Sequence, residues 1–387
     1  MSGPFIPQEI WDLIIDHLHD DPETLYTCCL VSNAWVLRAK KHLFAKITFI
    51  PPDRHIPQWR GAFPDPATSP AHNVRTLSIR KPRLITTENT NTLLTFCGVT
   101  HLSVDTDSWQ DRGVSLSPFH GFSPVVRSLR LATTLLRHSE IFDLICSFPL
   151  LEDLALIHRG PRSWDEDLSW NHPSTSPRLT GSLELNPNRM DGIEPTVHSL
   201  LNLPNGLHFK RISVLWSSHN DIKSTMDLVS SCSNTLESLD ITNHFQCMFS
   251  TTTAPDQCFT VQIDAFTIDL SNAIKLRDIE FRCGTPLPQW IITTLRATNP
   301  ENIQRITIYV NIYDTWPVPY PGWKGLDSLL VQFWDSYPIC TRVVCGPWDG
   351  LRPAWESVER LLPEMTSRGA VDIFSGPPPD VSSFSYS

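Results

Sequence analysis

The chain has 387 residues, a formal net charge of -10 and 41% hydrophobic residues, among them 13 Trp and 18 Phe. That apolar content excludes wholesale disorder. The acidic balance, with no basic cluster larger than residues 38–41 (RAKK), excludes the basic face a nucleic-acid partner would need.

At this length one compact core is not expected, so the choice lies between several domains and a repeat array. No window approaches the roughly 18 apolar residues of a membrane span, and the opening MSGPFIPQEIWDLIIDHLHDD carries no basic stretch ahead of its apolar run. Neither a signal peptide nor a membrane is therefore expected, and the location implied is cytoplasmic or nuclear. The 10 cysteines include no Cys-x-x-Cys pair and read as small core side chains in a reducing compartment.

In chain order, Pro7 has the fixed φ of a first helical turn and Glu9 lies where a helix N-terminus favours negative charge. Ile10, Trp11, Ile14, Ile15 and Leu18 then form a wide apolar stripe. Asp21 with Pro22 starts a second helix, and Ser32 caps a third on which Trp35, Ala39, His42 and Leu43 share one side. Three short helices in about 45 residues are too few to bury this much Trp, Ile and Leu among themselves, so part of the surface is expected to meet a partner.

The stretch IPQEIWDLIIDHL, followed by TLYTCCLVSNAWVLRAKKHLF, resembles the F-box. The usual F-box begins Leu-Pro-x-Glu-Ile and later runs Leu-x-x-Cys-x-x-Val-Ser-x-x-Trp. Pro7, Glu9, Ile10, Ile14, Leu18, Leu25, Cys28 or Cys29, Leu30, Val31, Ser32 and Trp35 match it, and Ile6 stands in place of the usual Leu. The closing AKKHLFAKITF is similar to fungal members. The resemblance implies that residues 1–46 dock on the Skp-family adaptor of a cullin-RING ubiquitin ligase. The adaptor face would be formed by Ile6, Pro7, Glu9, Ile10, Ile14, Leu18, Leu25, Cys29, Leu30, Val31 and Trp35, with Trp35 also holding the helices together. The competing reading is a small helical cap on a larger fold.

Residues 47–73 read as the body of a leading strand, KITFI at 46–50, and a Pro-rich loop or linker at 51–73. Beyond it one pattern returns: an apolar-x-apolar triplet whose first member is Leu77, Leu102, Leu129, Leu154, Leu183, Ile212, Leu239, Ile279 or Ile306. The steps are 25, 27, 25, 29, 29, 27, 40 and 27 residues, and all but one fall within the range of about 20 to 29 that marks leucine-rich repeats. The 40-residue step, holding VQIDAFTIDLSNAIK, reads as an insertion. One alternating strand and one helix-like return segment per repeat predict an α/β fold, with a curved leucine-rich-repeat solenoid and a parallel inner sheet over 74–374. TRVV at 341–344 and AVDIF at 370–374 are expected as its last strands, and 375–387 as a disordered tail. The repeats resemble the irregular ones of fungal F-box proteins.

No glycine-rich phosphate loop, His-Glu-x-x-His or nucleophile elbow occurs. His17 and His19 point to different faces of their helix, and Cys97, near His101, reads as core. No enzyme, cofactor or metal is expected. The polar residue inside each triplet should face the concave side: Ser78, Ser103, Arg130, Ala155, Glu184, Ser213, Asp240, Glu280 and Thr307. Charge gathers late, so Arg130, Asp240, Asp278, Glu280, Arg282 and Arg305 are the candidate substrate-binding residues. Trp109, Phe119, Phe122, Trp164 and Trp170, in long loops with no obvious core to fill, form a second candidate surface. The function expected is a substrate-recognition subunit of an SCF-type ligase, holding an unknown protein substrate. The alternative is an adaptor-bound scaffold that leads to no ubiquitination.

Overall fold

A computed structural model of the chain describes residues 6–80, 86–106, 116–122, 124–133, 138–158, 176–187, 192–243, 266–284, 289–311, 322–337, 339–345 and 354–375. Trp109, Trp164, Trp170 and the tail beyond Ser375 lie outside these residues. The chain divides into two compact units, Met1–Arg178 and Leu179–Ser387.

The first unit opens with three helices, α1 Gln8–His17, α2 Pro22–Val31 and α3 Asn33–Leu43. Asp21 caps α2 by accepting the Thr24 N–H at 3.0 Å, and Ser32 caps α3 by accepting the Ala34 N–H at 3.3 Å. Only Ile15, Leu25 and Ala39 are fully buried between the helices, with Leu18, Cys28, Cys29, Trp35 and Leu43 packed against them. The Trp11 and Trp35 rings meet at 4.6 Å.

Then come β1 Lys46–Phe49, α4 Pro52–Ala62, β2 Thr76–Arg80, α5 Thr87–Leu93, β3 His101–Asp105, α6 Ser117–His120, β4 Ser128–Thr133, α7 His138–Ser147 and β5 Asp153–His158. All neighbouring pairs from β1 to β5 are parallel, and Ile47, Leu77, Leu102, Leu129 and Leu154 are successive register partners. The four leucines are buried, so the triplets read from the sequence are adjacent strands presenting one apolar row to the core.

Two readings of this unit need correction. The Pro-rich stretch expected as a loop contains α4, which buries Pro52 and Ile56 despite Pro57 inside it. Its Trp59 and Phe63 join Phe44, Phe49 and Phe96 in one aromatic cluster with ring centroids 4.7 to 6.2 Å apart. Burying these rings outweighs the poor intrinsic helix propensity of the segment. Phe119 and Phe122 do have a core to fill: both are buried, at 6.3 Å from each other.

The second unit contains β6 Ser182–Asn186, α8 Glu194–Leu201, β7 Arg211–Trp216, α9 His219–Cys232, β8 Ser238–Asn243, β9 Asp278–Gly284, α10 Gln289–Arg296, β10 Arg305–Asn311, α11 Trp323–Ser336, β11 Cys340–Cys345, α12 Ala354–Leu361, α13 Pro363–Ser367 and β12 Val371–Ser375. Its strands are again parallel in sequence order, and Leu183, Ile212, Leu239, Ile279, Ile306, Thr341 and Val371 stand in one register row. Leu239 pairs directly with Ile279, so the 40-residue step adds no strand between them, as an insertion requires.

A hydrogen-bond device repeats at the strand starts. The carbonyl just before a strand accepts two successive N–H groups from the next repeat: Arg75 from Thr100 and His101, Thr100 from Arg127 and Ser128, Lys210 from Glu237 and Ser238, and Arg277 from Gln304 and Arg305. Each carbonyl uses both lone pairs, and each strand enters the sheet with its first donors satisfied.

Between α8 and α9 the fully buried Asp221 accepts N–H groups from Ile193 at 2.7 Å, Ser217 at 2.6 Å and Ser218 at 2.7 Å. Gly192, at φ +65°, passes so close that a Cβ there would lie 2.6 Å from Asp221 Oδ1. Beneath them Trp216 donates to Thr225 at 2.9 Å, and its ring meets that of Trp290 at 4.6 Å. Asp221→Ala leaves three N–H groups without their acceptor and is expected to cost about 3 kcal/mol or more. The measurement is the urea midpoint of the full chain tracked by Trp fluorescence, and an unchanged midpoint would contradict this role.

Candidate interaction surfaces

Fourteen large apolar side chains are exposed among the described residues, and eight of them lie between Ile6 and Leu37: Ile6, Ile10, Leu13, Ile14, Tyr26, Leu30, Val31 and Leu37. A three-residue core is too small to absorb them. Leu30 is 72% exposed, Val31 65% and Leu37 78%, values uncommon for such side chains in a chain with no use for the surface.

Of the residues expected on this face, Ile6, Pro7, Glu9, Ile10, Ile14, Leu30 and Val31 are exposed. Leu25 is not: it is buried between the helices, and Leu18, Cys29 and Trp35 pack against the same core. These four shape the face from within. Burial also pushes the Cys29 thiol up, so it behaves as a packing side chain. Leu13, Tyr26 and Leu37 were missed. Leu13 was legible, because it stands three residues after Ile10 on the helix, whereas nothing in the spacing of Tyr26 or Leu37 marks them as outward.

The helices are clamped by charge as well as by their core. Asp16 on α1 accepts from Arg38 Nε at 2.6 Å and from a second Arg38 nitrogen, and it lies 2.7 Å from His42 Nε2 on α3. The Arg38 guanidinium first and the His42 ring second hold the Asp16 carboxyl well below the usual carboxylate range.

In the second unit Asp240 and Glu280 are register partners on β8 and β9. Arg282, two residues along β9 on the same face, donates to Glu280 Oε1 from Nε at 2.8 Å and from Nη2 at 2.6 Å, and stands 3.6 Å from Asp240 Oδ2. Its guanidinium lies 4.7 Å from the centre of the Tyr309 ring. Ser213, partner of Asp240 on β7, donates to Asp240 Oδ2 at 3.0 Å. Burial and the Glu280 charge raise the Asp240 carboxyl to about 6 against the pull of Arg282 and Ser213. Asp278 and Arg305 form a separate pair at 2.9 Å. Arg130 lies on β4 of the first unit, between the positions of Ser103 and Ala155. Asp240, Glu280 and Arg282 are therefore one cluster, while the other three candidates are not part of it.

Cys97 is exposed rather than core, a correction to its reading. Its neighbour Val99 takes the buried position instead. Burial pushes the Cys146 and Cys232 thiols up to about 11, which keeps them protonated. No helix among the described residues is long and apolar enough to cross a membrane. Neither a family model nor a curated protein matches the chain.

The depressed Asp16 carboxyl has a signed consequence. Its stabilisation is complete above the unfolded value near about 4 and is lost as pH falls toward the lower folded value. With these side chains about one-third exposed, the contribution is limited to about 1 kcal/mol. Asp16→Asn is expected to be less stable than wild type by that amount at neutral pH and to converge with it in acid. Thermal melts from about pH 7 to about pH 2 check this: the difference should hold above about pH 4 and shrink progressively below it, and a constant difference across the range would contradict it.

Proposed function

We propose that the chain is a substrate-recognition subunit of a Skp-cullin-F-box ubiquitin ligase. Its helices α1 to α3 dock on the adaptor, and its repeats form a leucine-rich solenoid that holds a target protein. The observation that carries this reading is the eight exposed apolar side chains on the helical unit, in the same residues whose order resembles the F-box. A face of that kind suits an interface of about 1,600 Å².

The in-register strands within each unit support the repeat reading, because the 25- to 29-residue steps correspond to neighbouring strands. The aromatic cluster of Phe44, Phe49, Trp59, Phe63 and Phe96 suits the task as well. It ties the end of α3 to β1 and to the first repeat, so an adaptor held on the helices has a fixed relation to the strands beside them. Such a subunit does no bond chemistry. It raises the effective concentration of the target near the ubiquitin-charged enzyme.

Replacing Leu30 and Val31 together by Asp is expected to abolish co-purification with a co-expressed Skp-family adaptor. A charge forced into an interface core without a partner costs several kcal/mol. Both side chains are exposed in the chain itself, so circular dichroism and melting temperature should stay unchanged. Retained adaptor binding would rule out the proposal. Cullin in the wild-type complex separates a ligase subunit from a scaffold that uses the adaptor alone.

A further inference from the structure

The chain is acidic as a whole, with a net charge of -10, yet the strand starts of the first unit are basic. Lys46 opens β1, Arg75 directly precedes β2, His101 opens β3 and Arg127 directly precedes β4. Backbone bonds hold the first three side by side: the Ala45 carbonyl accepts the N–H groups of Arg75 and Thr76, and the Arg75 carbonyl those of Thr100 and His101. The last turn of α3, which leads through Phe44 and Ala45 into β1, adds Lys40 and Lys41. Lys40, Lys41, Lys46, Arg75 and His101 are all exposed. Arg127 differs, because Glu152 meets it at 2.5 Å, and Glu152 with Asp153 at the start of β5 closes the strip.

Arg75 is the positioned member of this strip. Its Nη1 donates to the Gly98 carbonyl at 3.0 Å. Gly98 is buried there, and a Cβ on it would lie 2.7 Å from the His72 carbonyl oxygen and 3.1 Å from Arg75 Nη1. The guanidinium is thus anchored while most of its N–H donors stay open. Among the described residues no carboxylate pairs with Arg75, whereas Arg38, Arg60 and Arg127 each have one. Lys40, Lys41 and Lys46 are likewise without an ion pair among those residues. His101 Nδ1 lies 2.9 Å from Thr100 Oγ1, which leaves Nε2 as the open ring nitrogen.

We propose that this strip docks an extended acidic segment of a protein partner, with one carboxylate on the Arg75 guanidinium and another over Lys46 or His101. Neighbouring strands lie about 4.8 Å apart, so the step from Lys46 to His101, two strands on, spans about 10 Å. An extended segment carries every second side chain on one side at intervals of about 6.7 Å, so Asp or Glu at positions i and i+2 reach across that span. Arg75 gives the contact its geometry, because a guanidinium already held in place takes a carboxylate through two parallel N–H donors, as a lysine does not. A long polyanion is disfavoured, since Glu152 and Asp153 end the strip and the net charge of the chain opposes it. Such docking uses none of the exposed apolar side chains of α1 to α3 and is independent of the ligase reading.

The test uses the full chain on an array of peptides of about 12 residues, in sets identical except for Glu or Gln at two central positions i and i+2. Wild type is expected to retain the acidic set about fivefold better at low salt and to lose most of that preference at about 0.5 M salt. Lys46→Gln with Arg75→Gln should abolish the preference. Lys223→Gln with Lys324→Gln removes the same charge from exposed helix positions of the second unit and should keep it, which separates a local site from a general effect of charge. Melting temperature reports whether each variant is folded, and Lys41→Gln with Lys46→Gln replaces the first pair if that one is not. No preference, a preference that survives loss of the strip's cations, or one indifferent to salt overturns the proposal. Equal capture of a single-stranded oligonucleotide overturns it as well, because the strip is then a general polyanion surface. So does self-association of wild type that the double variant abolishes, since the occupant is then a second copy of the chain. Adaptor co-purification should be the same for wild type and the double variant. Its loss in the variant alone would make the strip part of the adaptor face and overturn an independent site, whereas its absence in wild type would refute the ligase reading and leave the peptide result standing.

Discussion

Parallel strand pairing is the constraint on which the rest of the structure depends. A parallel strand cannot return through a tight turn, so each one needs a crossover segment before the next can pair. The chain meets this with steps of 25 to 29 residues between most triplets. The carbonyls of Arg75, Thr100, Lys210 and Arg277 then fix where each next strand begins by taking two of its N–H groups. A slip of one residue would turn the buried leucines outward and the polar residues inward. The register therefore sets the composition of both faces.

The helical unit differs from the strands in how much it buries. The strands of each unit bury a shared apolar row, whereas α1 to α3 bury only Ile15, Leu25 and Ala39 completely. Their stability is supplemented by Asp16 with Arg38 and His42, and by the two Trp rings at 4.6 Å. This leaves an apolar outer surface that is stable without being covered, the condition a docking face has to meet. The connection onward is made by aromatic rings rather than by a long helix: Trp59 touches Phe44, Phe49, Phe63 and Phe96.

Among the strands of the second unit, strand spacing forces like charges together. Asp240 and Glu280 are register partners, and such pairs on neighbouring strands repel. Arg282 relieves this only in part, since it is itself held by Glu280 and by the Tyr309 ring. A sheet without a use for this arrangement gains nothing from it in stability.

What the sequence determined by itself was the alternation. Period two along a strand decides locally which side chain faces in, so the rows from Leu77 to Leu154 and from Leu183 to Ile306 followed from spacing alone, as did β1, β11 and β12. The caps at Asp21 and Ser32 were equally local, because each needs only a side chain two or three residues from its partner N–H. Tertiary structure decided whatever depends on distant neighbours. Pro52 to Ala62 became a helix because rings from Phe44, Phe49 and Phe96 were there to receive Trp59 and Phe63. Leu25 went inward and Leu30 outward on one apolar helix, a choice made by α1 and α3 and not by its own pattern. Asp221 reads as one acid among 41 in the chain, yet it gathers the N–H groups of Ile193, Ser217 and Ser218. Asp240 was visible as a polar triplet residue. Its burial, its crowding by Glu280 and its incomplete hold on Arg282 exist only once β7 to β10 lie side by side, because electrostatic energy depends on distance through space and not along the chain.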